Sequence, residues 1–210
     1  MATLLHLDSS ADLVGSTSRR LTARFAAGWA AHGHSTVRRD LFTEQPPHLP
    51  HHLLHWSPDL LGPGESLDPE HERYQDQLID ELLAADVVVL GAPMYNWSVP
   101  STLKAWIDWV HVPGKTAPAG ADDRAPLHGK PIVIASGRGL AYGPDSGNVD
   151  HELAALRQLF EGSMHMVVHP VLAELTLTTR VSDLAPYSRH AADSLAAAEA
   201  EIDRLLTELG

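Results

Sequence analysis

Three short stretches concentrate residue types that could hold a small ligand. The first is Pro93-Met94-Tyr95-Asn96-Trp97, which closes the apolar run Val87–Leu90 and precedes Pro100. Backbone amides, a side-chain amide and flat rings suit a planar heterocycle, by stacking on one side and hydrogen bonding along an edge. The second is "SSADLVGSTS", residues 9–18, with Ser10, Ser16, Thr17 and Ser18 around Gly15. Open N–H groups at a helix start, joined by small hydroxyls, can hold a phosphate without a lysine. The plainer reading is that these serines cap a helix, and composition does not separate the two. The third is "SGRGLAYG", residues 136–143, where Gly137 and Gly139 flank Arg138 and would let backbone approach a ligand closely.

Other chemistries find less support. Neither G-x-x-x-x-G-K nor G-x-G-x-x-G occurs, so a P-loop and a Rossmann dinucleotide site both lose ground. No G-x-S-x-G elbow supports a serine hydrolase. His48, His51, His52 and His55 have ligand-like spacing, but Pro50 interrupts them and no clustered acid or cysteine joins them, so no metal is expected. Trp106 and Trp109 read as helix packing.

These stretches need elements to bring them together. Apolar strands are expected over Thr3–Asp8, Asp86–Pro93, Lys130–Gly137 and His165–Leu175, with a more polar, edge-like strand over Ser35–Leu41. Helical periodicity fits Ser18–Gly33, Glu70–Ala85, Ser101–His111, Asn148–Gly162 and Ser188–Leu209, with Gly33 as a stop and Pro100 allowed in a first turn. Such alternation predicts an α/β domain: a doubly wound, five-stranded parallel sheet of flavodoxin-like order 2-1-3-4-5, with helices on both faces. In that arrangement the turns after strands one, three and four meet, and these carry the three stretches. Residues 43–69 break the rhythm with six prolines and four histidines, as a lid, a partner-contacting excursion or a mobile loop would.

The 210 residues, 44% hydrophobic, suit one domain spanning 1–210. Fifteen Lys+Arg against 27 Asp+Glu give a net charge of −12, which argues against a nucleic-acid binder. Apolar runs fall far short of the roughly 20 residues a membrane span needs, "MATLLHLDSS" has no basic region and no long apolar run, so no secretion signal is expected, and cysteine is absent. A cytoplasmic protein is the expectation.

Taken together, "APMYNWSVPSTLKAWIDW", "LDSSADLVGSTSRRL" and "ASGRGLAYG" resemble, in order, the signatures of the FMN-dependent NADH azoreductases. These are flavodoxin-like proteins of the acyl-carrier-phosphodiesterase type, related to the NAD(P)H:quinone reductases. The resemblance implies FMN as cofactor and NADH or NADPH as donor. It also implies a homodimer and a two-electron, ping-pong transfer to quinones, azo compounds or other electron-poor aromatic acceptors. It places Ser10, Ser16, Thr17 and Ser18 on the FMN phosphate. Pro93, Met94, Tyr95, Asn96 and Trp97 would lie along the isoalloxazine, and Ser136, Gly137, Arg138 and Gly139 at its pyrimidine edge. Asn96, near the reactive ring edge, and Tyr142, beside the substrate pocket, are the candidate catalytic residues. Leu140 stands where the family usually has a second glycine, and "LFEGSMHM" (159–166) replaces its F-G-F-x-G stretch. These departures leave room for an enzyme devoted to one quinonoid metabolite. A flavodoxin-like electron carrier is the other alternative.

Overall fold

The computed structural model describes residues 1–120, 123–143 and 146–210. Five strands, β1 (Thr3–Asp8), β2 (Ser35–Asp40), β3 (Val87–Gly91), β4 (Pro131–Gly137) and β5 (Val167–Ala173), form one parallel sheet in the order β2-β1-β3-β4-β5. The crossovers carry α1 (Thr17–Ala31), α2 (Pro69–Ala84), α3 (Ser101–Val110) and α4 (His151–Arg157), and α5 (Ser188–Leu209) closes the chain. The doubly wound expectation holds, with the polar β2 at an edge.

Alternation along the strands builds two cores. Leu5, Leu7, Val88, Leu90, Ile132 and Ile134 face α2 and α3, where Trp106 and Trp109 are fully buried. Leu4, Val87, Val89, Val133 and Ala135 face α1 and α5, against Phe25, Trp29, Ile202 and Leu205. Because successive side chains point to opposite faces, the short run "VVVL" feeds both cores and has no exposed side.

Several boundaries differ from the periodicity for local reasons. The fifth strand is shorter than His165–Leu175 because both of those residues take positive φ, 58° and 59°, outside the β region. The helix expected from Asn148 starts after Asp150, whose carboxylate accepts from the Leu153 N–H at 2.9 Å. It then widens into a π turn over Gln158–Ser163. The 43–69 excursion is tied down. It forms two 3₁₀ turns, His52–His55 and Pro58–Leu60, and buries Leu53 and Leu54. Trp109 Nε1 donates to the Pro47 carbonyl and Gln75 Nε2 to that of Leu54, each at 2.7 Å, so α3 and α2 hold it.

Candidate active site

At the carboxyl ends of β1, β3 and β4 lies an open cleft of about 560 Å³, within the roughly 300–1,000 Å³ usual for small-molecule sites. Ser10, Ser16, Thr17 and Ser18 form one wall, Pro93, Met94 and Tyr95 the second, and Gly137 and Gly139 the third. Three stretches separated by some 80 and 40 residues in the chain therefore meet, as the sheet order requires.

The phosphate-loop wall is capped and open at once. Ser16 is the N-cap of α1, its hydroxyl accepting from the Arg19 N–H at 3.3 Å and lying 3.0 Å from the Ser18 hydroxyl. The N–H groups of Thr17 and Ser18 meet no acceptor among the described residues. They point out of a helix N-terminus that carries about half a positive charge. Close approach is built in at Gly137, where an added Cβ would come 3.1 Å from Thr17 Cβ. Residues with these open donors and small hydroxyls fit a phosphate monoester.

The loop is propped from below. Arg19 grips the Ser10 carbonyl with Nε and Nη2, at 3.2 and 2.7 Å, and is fixed by Asp40 through two bonds of 2.7 and 2.8 Å. Asp8, directly opposite Asp40 in the sheet, meets His6 at 3.2 Å, Thr22 at 2.8 Å and Arg38 at 3.0 Å. Burial alone would raise the Asp8 carboxyl, but these contacts outweigh it and hold the pKa at about 2. Tyr95 ties the β3 turn to the same loop. Its hydroxyl accepts from the Ala11 N–H at 3.0 Å and stands 3.2 Å from the Ser10 hydroxyl.

Beyond Tyr95 the chain reverses. Tyr95 and Ser98 exchange two backbone bonds, of 2.8 and 3.0 Å. The residues between them, Asn96 and Trp97, sit at φ 50° and 61°, as in a mirror-image hairpin turn. Trp97 is 61% exposed. Neither residue is part of the cleft lining; both stand on the tip beside it.

Three of the expected contact residues, Arg138, Ser136 and Tyr142, lie outside the lining of the cleft. Arg138 is 1% exposed and points away from the cleft, into a cluster with Asp150 at 2.7 Å, Glu152 at 3.5 Å and Glu174 at 3.9 Å. Its own N–H already donates to the Ala173 carbonyl at 2.8 Å. Ser136 is buried behind the cleft and donates to Glu152 at 2.8 Å. Tyr142 lies outside the lining, its ring over the Arg138 guanidinium at 5.7 Å and its N–H on Glu174 at 2.8 Å. Partial burial raises its hydroxyl pKa, only partly opposed by Arg138. Arg138 and Ser136 thus brace the β4 turn from inside, where a buried arginine must be paired. Glu152 has no exposure, and burial pushes its pKa up to about 7 despite Ser136 and Arg138.

A fourth wall has no counterpart in the motifs. Thr176, Leu177, Thr179 and Arg180, after β5, line the same cleft. No motif marks this segment, although its place after the last strand puts it at the ligand end of the sheet. Asp8 and Asp40 carried a readable signal: two acids ending neighbouring strands demand a cation, and Arg19 is in the first turn of the next helix.

The family described as flavodoxin-like fold matches residues 2–206. An FMN-dependent NADH:quinone oxidoreductase of Kineococcus radiotolerans is 40% identical over 213 aligned positions, covering all of both chains. One from Streptomyces coelicolor is 36% identical over 225, again covering both in full. Among solved structures, an azoreductase from Bacillus anthracis str. Sterne superposes with a TM-score of 0.79 at 21% identity, over 99% of this chain and all of the other. An FMN-dependent NADH-azoreductase from Bacillus anthracis str. Ames Ancestor, solved with FMN, gives 0.76 at 16% identity, over 97% and 99%. At those identities the structural likeness speaks for the fold.

Proposed function

The chain belongs to the flavodoxin-like-fold family, among the FMN-dependent NADH:quinone oxidoreductases, and from that membership we propose how its residues serve the reaction. It is an FMN-dependent oxidoreductase that draws electrons from NADH and reduces quinones. When bound, FMN supplies the redox centre, taking a hydride equivalent from the donor and passing two electrons to the acceptor.

The observation that carries the site assignment is the cleft itself, where a helix start with open N–H groups faces a flat wall and two glycines. Ser10, Ser16, Thr17 and Ser18 hold the phosphate with hydroxyls and the α1 N-terminus. Pro93, Met94 and Tyr95 lie along the ring, and Tyr95 sets the spacing between ring wall and phosphate loop through its hydroxyl. Gly137 and Gly139 let the β4 turn pack closely against Thr17 and Leu177, which sets its backbone at the ring edge. Asn96 and Trp97, on the exposed turn, border the acceptor's side of the site and shield it from water. Arg138 and Ser136 hold the β4 turn in place without touching the ligand.

All 210 residues act as one domain, in keeping with a family match over nearly the whole length. Azo compounds are further acceptors, because an open cleft with a flat wall selects for planarity more than for one functional group. The enzyme works as a cytoplasmic homodimer, and exposed Trp97 beside the cleft offers a second copy an apolar contact. No helix among the described residues is long and apolar enough to cross a membrane.

The absorption spectrum of the purified full chain, taken without oxygen before and after NADH, tests the reading. A yellow protein that bleaches on NADH and recovers its colour on a quinone is the expected outcome. A colourless protein that takes up no added FMN overturns it.

A further inference from the structure

The phosphate loop contains no cation that can turn toward a ligand. Arg19 is bound by Asp40 and the Ser10 carbonyl, Arg38 reaches Asp8 at 3.0 Å, and Arg138 is enclosed by three carboxylates. In a protein of net charge −12, a phosphate dianion entering this cleft meets hydroxyls and a helix end, and also the carboxylate of Asp12 on the rim. Its Oδ1 accepts from the Val14 and Gly15 N–H groups, at 3.0 and 2.7 Å, and the charge remains.

The opposite wall supplies what the loop lacks. Arg180 lines the same cleft as Ser16–Ser18, and its guanidinium makes no ion pair or hydrogen bond with any described residue. The segment carrying it is firmly seated. Thr176 donates twice to the Arg138 carbonyl, from N–H at 2.9 Å and from Oγ1 at 3.0 Å. Leu177 packs over Gly139 so closely that a Cβ there would stand 2.6 Å from Leu177 Cδ1. The N–H groups of Arg180 and Val181 both return to the Leu177 carbonyl, at 2.9 Å each. Arg180 therefore projects from a fixed turn, so a contact made by its side chain costs rotamer freedom but no ordering of the backbone. Its charge is felt across the cleft, where it adds to the N–H bonds that hold Asp12 below the usual carboxylate range.

We propose that Arg180 closes the phosphate end of the cleft, donating to the FMN phosphate from the wall opposite α1 and making the site selective for FMN over riboflavin. The proposal rests on the FMN reading above and adds a residue that the three motifs do not contain. A guanidinium is suited to the task because its planar fork can meet two phosphate oxygens together. Arg180 also lies at the cleft mouth, so its contribution is open to screening by salt.

The test titrates flavin-stripped full-length protein with FMN and with riboflavin, following flavin fluorescence, for wild type, Arg180→Gln and Arg180→Lys, at low and high NaCl. A charge-assisted bond of this kind corresponds to roughly a tenfold loss of FMN affinity in Arg180→Gln at low salt, with riboflavin unchanged. Arg180→Lys is expected to recover part of the loss, and the salt dependence of FMN binding to fall in Arg180→Gln. Equal weakening of FMN and riboflavin overturns the proposal, since Arg180 would then serve only the wall. Unchanged FMN affinity with a raised KM for NADH also overturns it and assigns the arginine to the donor's phosphates. Unchanged affinity and KM overturn it too. A wild-type chain that binds neither flavin removes the FMN reading itself, a result separable from all of these.

Discussion

Trp97 occupies a backbone conformation that an indole side chain has no intrinsic reason to adopt. At φ 61° it sits in the left-handed region, which costs a residue with a Cβ about 1–2 kcal/mol, and at 61% exposure it regains little by burial. A strained, exposed aromatic beside a cleft points to use on a ligand. Asparagine tolerates the left-handed region, so Trp97→Asn is expected to raise stability by up to about 1 kcal/mol in thermal or urea unfolding. The same change should lower kcat/KM for quinone by roughly three- to tenfold, the scale of one lost aromatic contact. A variant that is more stable and fully active would strip Trp97 of its place in the site. Residue types exposed much of this site to reading: hydroxyls, glycines and the Pro93–Tyr95 wall all reach the cleft. Direction was not readable. Arg138 stands between two glycines, and nothing in "SGRG" says that its side chain turns inward to Asp150, Glu152 and Glu174, which come from the next helix and strand.

At the scale of elements, period decided what could be foreseen. Among the described residues five strands and five helices follow the apolar pattern, because two cores, one on each face, bury the central strands from both sides. The ends depend on events the pattern does not encode, such as the Asp150 cap and the positive φ at His165 and Leu175. The 43–69 excursion was the least legible, since proline and histidine content says nothing about what lies beneath. Its anchors are the Trp109 indole on Pro47 and the Gln75 amide on Leu54. Trp109→Phe removes the hydrogen bond to Pro47 and shrinks a fully buried ring, at a cost of about 1–3 kcal/mol. Limited proteolysis should then cut within 43–69 sooner than in wild type. Because the excursion does not line the cleft, FMN affinity should stay within roughly twofold, as for independent sites. A parallel loss of FMN would mean that the excursion supports the site after all.

The whole molecule responds to pH through groups that pull in opposite directions. Asp8, held at about 2 in the fold against an ordinary 3.8, gives stability that is complete above the ordinary value and is lost as pH falls toward 2. At about 1.4 kcal/mol per unit, that is on the order of 2 kcal/mol. Glu152 behaves oppositely. Raised from 4.5 to about 7, it binds its proton more tightly folded than unfolded, so its effect on stability becomes unfavourable as pH rises from about 4.5 through 7. The loss approaches roughly 3 kcal/mol above that window. Half-buried His111 is lowered by desolvation, and its penalty appears instead as pH falls below the ordinary histidine range. Overlap of His111 with Glu152 makes the wild-type curve ambiguous, and the difference between two proteins resolves it. Glu152→Gln keeps the shape of the protonated acid and cannot ionise. Measured by urea unfolding of the full chain at saturating FMN, so that one ligand contribution enters both proteins, its stability relative to wild type should climb steadily from about pH 4.5 to about pH 8, by up to roughly 3 kcal/mol. A difference that stays flat across this range would show that Arg138 keeps Glu152 ionised throughout. The β4 turn would then be braced by a permanent ion pair, with no protonated acid below about pH 7.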